Sequence, residues 1–273
     1  MLSKTLRLLA ASAALAFGWS SPAAILYFEG FDSPNTGSGD GDPFALYNWA
    51  THRGQNGAIT LNGNPDWPGN PVASNTGGQA RVVDDPGGPP SPSDRTFLFW
   101  SADNDEDLLS WTGNFSSLLT SSYTGLSLSF FHRNSNGSGG VSEPGNRAAV
   151  AISTGNTTRW FATGTRNTNT TANWVQVSAN LSSTDWIEFT FNGTQGGNAT
   201  AGFDVSGAPG ALPSGSLVAL GIYSEMEANG ISSGDSVRFD SVLLEGTFIP
   251  EPAGVGFLAC ATGLALLRRR RAP

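Results

Sequence analysis

Between Leu126 and Phe131 the chain alternates. Leu126, Leu128 and Phe130 fall on one side, and Ser127, Ser129 and Phe131 on the other. A period of two sends each set to its own face of a pleated chain, so this stretch predicts a half-buried β-strand. Similar short patterns recur at Ala149 to Ser153, Thr158 to Ala162, Trp174 to Val177 and Trp186 to Phe191. An apolar strand follows at Leu217 to Tyr223, and the last strand at Val237 to Leu244. Upstream, Ile25 to Glu29 predicts the first strand and Thr96 to Trp100 another. Leu46 to Trp49 and Ala58 to Leu61 are shorter strand candidates, and Gln79 to Val83 interrupts a Gly/Pro/Asn-rich region between Asn62 and Pro92.

Turn chemistry separates these runs, as in Asn136-Gly137, Thr154-Gly155-Asn156 and Asn192-Gly193, and Pro86-Gly87-Gly88-Pro89-Pro90 cannot join a ladder. No window of ten or more residues in this part carries a convincing helical period. Many short strands joined by turns imply one all-β domain, a jelly-roll or concanavalin-like β-sandwich over residues 24–248. Neither an internal repeat nor a break in composition divides it.

The two ends read differently. Lys4 and Arg7, the apolar run Leu8 to Trp19 and the small residues Ser20, Ser21, Ala23 and Ala24 have the order of a secretory signal peptide, cleaved after Ala23. At the other end, residues 249–273 hold Pro250-Glu251-Pro252, an apolar run from Ala253 to Leu267, and Arg268-Arg269-Arg270-Arg271. The prolines hold the tripeptide extended. As a helix, 253–267 spans ~22 Å, short for a ~30 Å hydrocarbon core, so snorkelling arginines or local thinning must help it cross. The arginine block orients it with the C-terminus in the cytoplasm.

Charge and cysteine usage narrow the function. Of the 22 acidic residues only Glu251 lies outside 24–249, and of the 14 basic ones Lys4, Arg7 and the four tail arginines do. That leaves a domain with 8 arginines, no lysine and a charge of −13. Such a surface repels nucleic acid and anionic lipid, and suits divalent cations or neutral glycans. The single Cys260 sits in the apolar tail, so the domain has no disulfide and no thiolate chemistry.

The order Pro-Glu-Pro, short apolar helix with Gly263 inside it, and terminal arginine cluster resembles the PEP-CTERM sorting domain of Gram-negative bacteria that make exopolysaccharide. Helix brevity and the trailing Ala272-Pro273 are small departures. The resemblance implies processing by an exosortase, a membrane-embedded transpeptidase-like protease that cuts near Pro250-Glu251-Pro252. It further implies an exported chain, transiently anchored in the inner membrane, whose product reaches the cell surface or extracellular matrix and meets exopolysaccharide.

Catalytic signatures are scarce. His52 and His132 are the only histidines, and no nucleophile elbow or zinc-protease helix occurs. His52 reads as a loop residue, and His132, ending an alternating strand, is expected to face solvent or pair locally. Glu143, Glu188, Glu225, Glu227 and the Asp103 to Asp107 run could supply the carboxylate pair of a glycosidase, which linear spacing cannot assign. Asp103 to Asp107 fails the EF-hand pattern and reads as a solvated acidic turn. Phe28 to Asp32 and Arg238 to Gly246 resemble the first and last strands of jelly-roll carbohydrate-binding modules. That resemblance implies terminal strands lying side by side and a structural Ca²⁺ near the seam, with Glu29 and Asp240 as ligands. Trp100, Trp160, Trp174 and Trp186 are expected in the core, and Trp67, in a Pro-rich loop, is the candidate glycan contact. Seven Asn-x-Ser/Thr sequons, including Asn136, Asn156 and Asn192, reflect a surface rich in Ser, Thr and Asn. Two readings stay open: a non-enzymatic surface or matrix protein with glycan affinity, or a secreted polysaccharide-active hydrolase or lyase.

Overall fold

A computed structural model describes residues 22–32, 42–43, 47–55, 58–59, 79–84, 95–101, 106–135, 145–168, 173–191, 205–225 and 235–249. The strands run β1 (Ala24–Glu29), β2 (Asp42–Pro43), β3 (Ala50–Gln55), β4 (Ala58–Ile59), β5 (Gln79–Asp84), β6 (Arg95–Ser101), β7 (Glu106–Thr112) and β8 (Leu118–Leu119). A 3₁₀ turn, Thr120–Ser122, leads into β9 (Tyr123–Ser135). Then come β10 (Gly145–Thr154), β11 (Thr157–Thr163), β12 (Val175–Asn180), β13 (Trp186–Phe189), β14 (Ser216–Glu225) and β15 (Asp235–Phe248). Among the described residues no helix is long and apolar enough to cross a membrane. Residues 1–21 of the signal peptide, Trp67, Asp103 to Asp105, Glu143, Glu227, Pro250-Glu251-Pro252 and the Arg268 to Arg271 block lie outside them.

Two antiparallel sheets form a sandwich. One has the order β12-β9-β15-β6-β5-β2 with β1 joined to β15; the other has the order β13-β11-β10-β14-β7-β3-β4 with β8 joined to β14. The core between them is built from alternate residues of both sheets: Leu126, Leu128 and Phe130 of β9 meet Ala148, Val150 and Ile152 of β10 and Leu220 and Ile222 of β14. The period-two pattern of β9 therefore settles its inward face. At the β10–β11 hairpin the chain reverses through Gly155, whose φ of +66° a side chain would resist.

The eight-stranded sheet is apolar on its other face too. Ala149 and Ala151 of β10, Trp160 and Ala162 of β11, Phe189 of β13, Ala219 and Tyr223 of β14, and Leu109 and Trp111 of β7 form a second buried cluster. Gly221 is the close-approach point beneath it: a Cβ there would meet the Ser110 carbonyl at 2.2 Å and the Trp111 Cβ at 2.8 Å.

Three expectations change. Tyr47 to Trp49 is a turn instead of a strand, with Asn48 at φ +58°, and its aromatics fill a pocket against Phe31 at centroid distances of 5.8 and 5.6 Å. Its apolar content belongs to a buried loop. His52, expected in a loop, lies within β3, where it pairs with Leu109 of β7. Glu106 and Asp107, expected in an acidic turn, open β7, an interior strand between β14 and β3. Leu109 and Trp111 alternate with Ser110 and Thr112 in that strand, yet all four are buried, because both of its faces are covered.

Candidate functional site

The seam between the first and last strands forms as expected. β1 runs antiparallel to β15, pairing Ala24 with Gly246 and Glu29 with Val242. On that side β15 changes partner: β6 holds Asp235 to Phe239, and β1 takes over at Val242. The handover falls at Asp240-Ser241, where Ser241 turns to φ +52° and the register with β9 shifts. Asp240 is fully buried, and its Oδ1 accepts from the backbone N–H of Ser241. Beyond the end of β1, Phe31 also adopts a positive φ of 58°.

Glu29 is half-buried and its Oε1 accepts from the Phe31 N–H at 2.7 Å. Burial, opposed by that bond and reinforced by Asp32, pushes its carboxyl above the usual carboxylate range. Next to it, the Tyr27 hydroxyl accepts from Trp49 Nε1 at 3.0 Å. Burial, then the Glu29 charge, raises the Tyr27 hydroxyl well above its ordinary value. Among the described residues no group of three or more His, Cys, Asp or Glu could hold a metal ion. Glu29, at the end of β1, and Asp240, at the handover in β15, both lie along this seam.

Two other carboxylates of the candidate set, Glu188 and Glu225, are committed to arginines. Glu188 points outward at the sheet edge, and Arg159 grips it with two bonds, Nε to Oε1 at 2.6 Å and Nη2 to Oε2. That contact holds the Glu188 carboxyl below the usual range. A carboxylate stabilised as the anion is the opposite of a general acid. Glu225 receives Arg147 Nε at 2.8 Å and Arg166 Nε at 3.0 Å, and Arg147 Nη1 also donates to the Thr163 carbonyl.

His132 is a correction: it is fully buried in the core, and its partner lies across the sandwich. Ser224 Oγ of β14 donates to Asn146 Oδ1 at 2.7 Å, which leaves Asn146 Nδ2 of β10 to donate to His132 Nδ1 of β9 at 2.6 Å. This chain ties the two sheets together within the buried interior. The phase of the β9 alternation placed His132 inward with Leu128 and Phe130, a signal present in the sequence.

An open concavity lies where the chain leaves the last strand. This cleft of about 340 Å³ is lined by Thr120, Tyr123, Leu126, Leu181, Leu212 and Pro213, with Ser121, Thr124, Gly125, Ser182 and Ser214 completing its walls. Its frame is rigid. Thr120 donates to the Gly215 carbonyl from both N–H and Oγ1, at 3.0 and 2.9 Å, and Leu181 N–H reaches the Leu126 carbonyl at 2.9 Å. Ile249 N–H donates to the Ser122 carbonyl at 2.8 Å, and Phe248 packs edge-on to Tyr123 at 5.6 Å. None of the lining residues is a carboxylate or a base, and hydroxyls dominate the polar groups. Such walls can hydrogen-bond a neutral polyol and stack one ring face.

The tryptophans bear out part of their expectation. Trp160 and Trp186 are buried, as are Trp49 and Trp111, while Trp174 is half-buried just outside β12. Nothing in the local pattern singles out Tyr123, which sits just beyond a short turn.

No family model matches the chain, and no curated protein does. Solved structures with a similar overall form exist. The CBM22-1 xylan-binding domain of Paenibacillus barcinonensis Xyn10C is 9% identical with a TM-score of 0.43, covering 85% of this chain and 100% of that domain. The CBM22-1–GH10 modules of Clostridium thermocellum Xyn10B are 12% identical with a TM-score of 0.40, covering 81% of this chain and 28% of theirs. The mannan-recognising module TmCBM27 is 10% identical with a TM-score of 0.31, covering 83% of this chain and 99% of that one. At these values no residue role passes from them to this chain.

Proposed function

We propose that this chain is an exported, non-enzymatic protein of the cell surface or extracellular matrix, sorted through its C-terminal signal and carrying a site for neutral glycan. The observation that carries the glycan part is the charge-free, hydroxyl-lined cleft with Tyr123 on its wall. The jelly-roll form, with first and last strands paired, agrees with such a role. Support for sorting is the Pro250-Glu251-Pro252 tripeptide, apolar run and Arg268 to Arg271 block. An exosortase would cut near the tripeptide, and exopolysaccharide is the glycan such a protein would meet.

Binding of purified chain to host exopolysaccharide and to a panel of neutral polysaccharides tests the cleft. Tyr123→Ala is expected to weaken binding about tenfold, the loss of one stacking contact worth ~1–1.5 kcal/mol. Unchanged binding would remove the cleft from the reading. For sorting, Pro250→Ala with Pro252→Ala should abolish the shortened form seen on fractionation; unaltered processing would sink the exosortase assignment.

A polysaccharide-active hydrolase or lyase is the second reading, favoured by one observation: Glu29 is half-buried, and burial pushes its carboxyl above the usual carboxylate range, the direction a general acid needs. Reducing-sugar release lost on Glu29→Gln would establish that reading and overturn the first.

A further inference from the structure

The sandwich ends in a cluster of exposed apolar side chains at the point where the chain continues to its tail. Leu119 and Phe248 are each 51% exposed and Ile249 is 41% exposed. They are neighbours: Ile249 is hydrogen-bonded to Ser122 at the end of the turn that Leu119 precedes, and Phe248 stacks on Tyr123 just after it. From Leu119 to Tyr123 and from Phe248 to Ile249 no residue carries a charge, in a domain whose formal charge is −13. A charge-free rim of Leu, Ile and Phe beside a Tyr has the composition of a surface that sits at a lipid–water boundary, whereas an acidic face would be repelled from it.

Chain length decides the occupant. The backbone is pinned at Ile249, and the apolar run begins at Ala253, four residues on. Four extended residues reach at most ~14 Å. Once the run enters a bilayer, this end of the domain has no slack with which to stand away from the headgroups. We propose that Leu119, Phe248 and Ile249 form a lipid-facing foot that rests on the membrane surface while the tail is embedded, fixing the orientation in which the sorting tripeptide is presented. The inference rests on insertion of the tail as read above.

The test uses the full chain in a Cys260→Ser background, reconstituted into phosphatidylcholine vesicles. A nitrobenzoxadiazole label is placed at Leu119→Cys or, as a control, at Val175→Cys, and quenched by nitroxide lipids. Val175 pairs with His132, nine residues along β9 from Tyr123, or ~30 Å at ~3.4 Å per residue. Apolar faces at membranes bury ~5–10 Å into the headgroup boundary, so about threefold stronger quenching is expected at 119 than at 175. Phe248→Ser should bring the value at 119 towards that at 175, with the thermal midpoint lowered by only a few degrees, because Phe248 is half exposed and gives up one edge-on contact with Tyr123. Equal quenching at both positions in chains that float with the vesicles would overturn the foot and leave tail insertion standing. Chains that fail to float would overturn both. If unlabelled Leu119→Cys chains crosslink to one another through a disulfide and the labelled ones are not quenched, the rim belongs to self-association and the foot is likewise overturned.

Discussion

The eight-stranded sheet buries both of its faces, and it does so with different residues. Facing the other sheet, leucine, isoleucine, valine and phenylalanine interdigitate across the sandwich, and two of the 21 buried members are alanine. On the opposite face five of eleven are alanine, and the other members are mostly rings: Trp111, Trp160, Phe189, Phe191 and Tyr223. Trp160 meets Trp111 at 5.3 Å and Phe191 at 5.1 Å, both edge-on. Facing sheets ~10 Å apart need branched side chains that fill the gap from both sides. Rings lying across a sheet need the opposite, a flat seat, which alanine and Gly221 provide. The two faces should fail in opposite ways, one by losing atoms and the other by gaining them.

Phe239→Ala breaks the inner face. Phe239 is fully buried against Phe130, with centroids 5.7 Å apart, so its truncation should cost ~3–5 kcal/mol in urea unfolding. Gly221→Ala attacks the outer face by addition. Its Cβ would stand 2.2 Å from the Ser110 carbonyl, and a loss of ~1–3 kcal/mol is expected, accompanied by a shift in tryptophan fluorescence from the displaced Trp111. A neutral outcome there would show that the outer cluster yields as the core does not.

Asn146→Ala probes the polar link inside the inner face. It removes the acceptor of Ser224 and the donor to His132 together, so ~1–3 kcal/mol should be lost. Restoration of stability when His132 and Ser224 are also made apolar would show that the link specifies pairing and contributes little net energy.

The smallest effects are pH effects of opposite sign. The folded-state proton of Glu29 is held above the usual range by burial. Its contribution is therefore complete at low pH and is lost as pH rises through the raised value; Glu29→Gln should flatten stability on that side. For Glu188 the value is lowered by Arg159, so its contribution is present above the usual range and lost as pH falls through the lowered value. Being an exposed pair, it should be worth under ~1 kcal/mol, and Glu188→Gln should erase only a shallow acid-side slope.

The strands were largely legible in the sequence because a half-buried strand writes its burial as a period of two, as β9 does. β7 was not, because the Asp103 to Asp107 run argued for a turn and its polar Ser110 and Thr112 are buried as deeply as Leu109. His132 could have been placed by phase, whereas its bond to Asn146 depends on a distance between sheets that no local pattern carries. The β1–β15 seam came from a resemblance: more than 200 residues separate its strands, and pairing over such a span leaves no local trace. Tyr123 and its cleft depend on separate segments meeting, which composition cannot report.

The bond from Ile249 to Ser122 also sets a leash. The next residue, Pro250, has no N–H to donate. A cut within Pro250-Glu251-Pro252 would leave one to three residues beyond a fixed amide, a tether of ~10 Å at most. Whatever becomes joined to that new end would hang at the same pole of the molecule as the cleft. A matrix assembled from such units would hold attachment and recognition within one short reach and turn the buried acids of the seam to the far side.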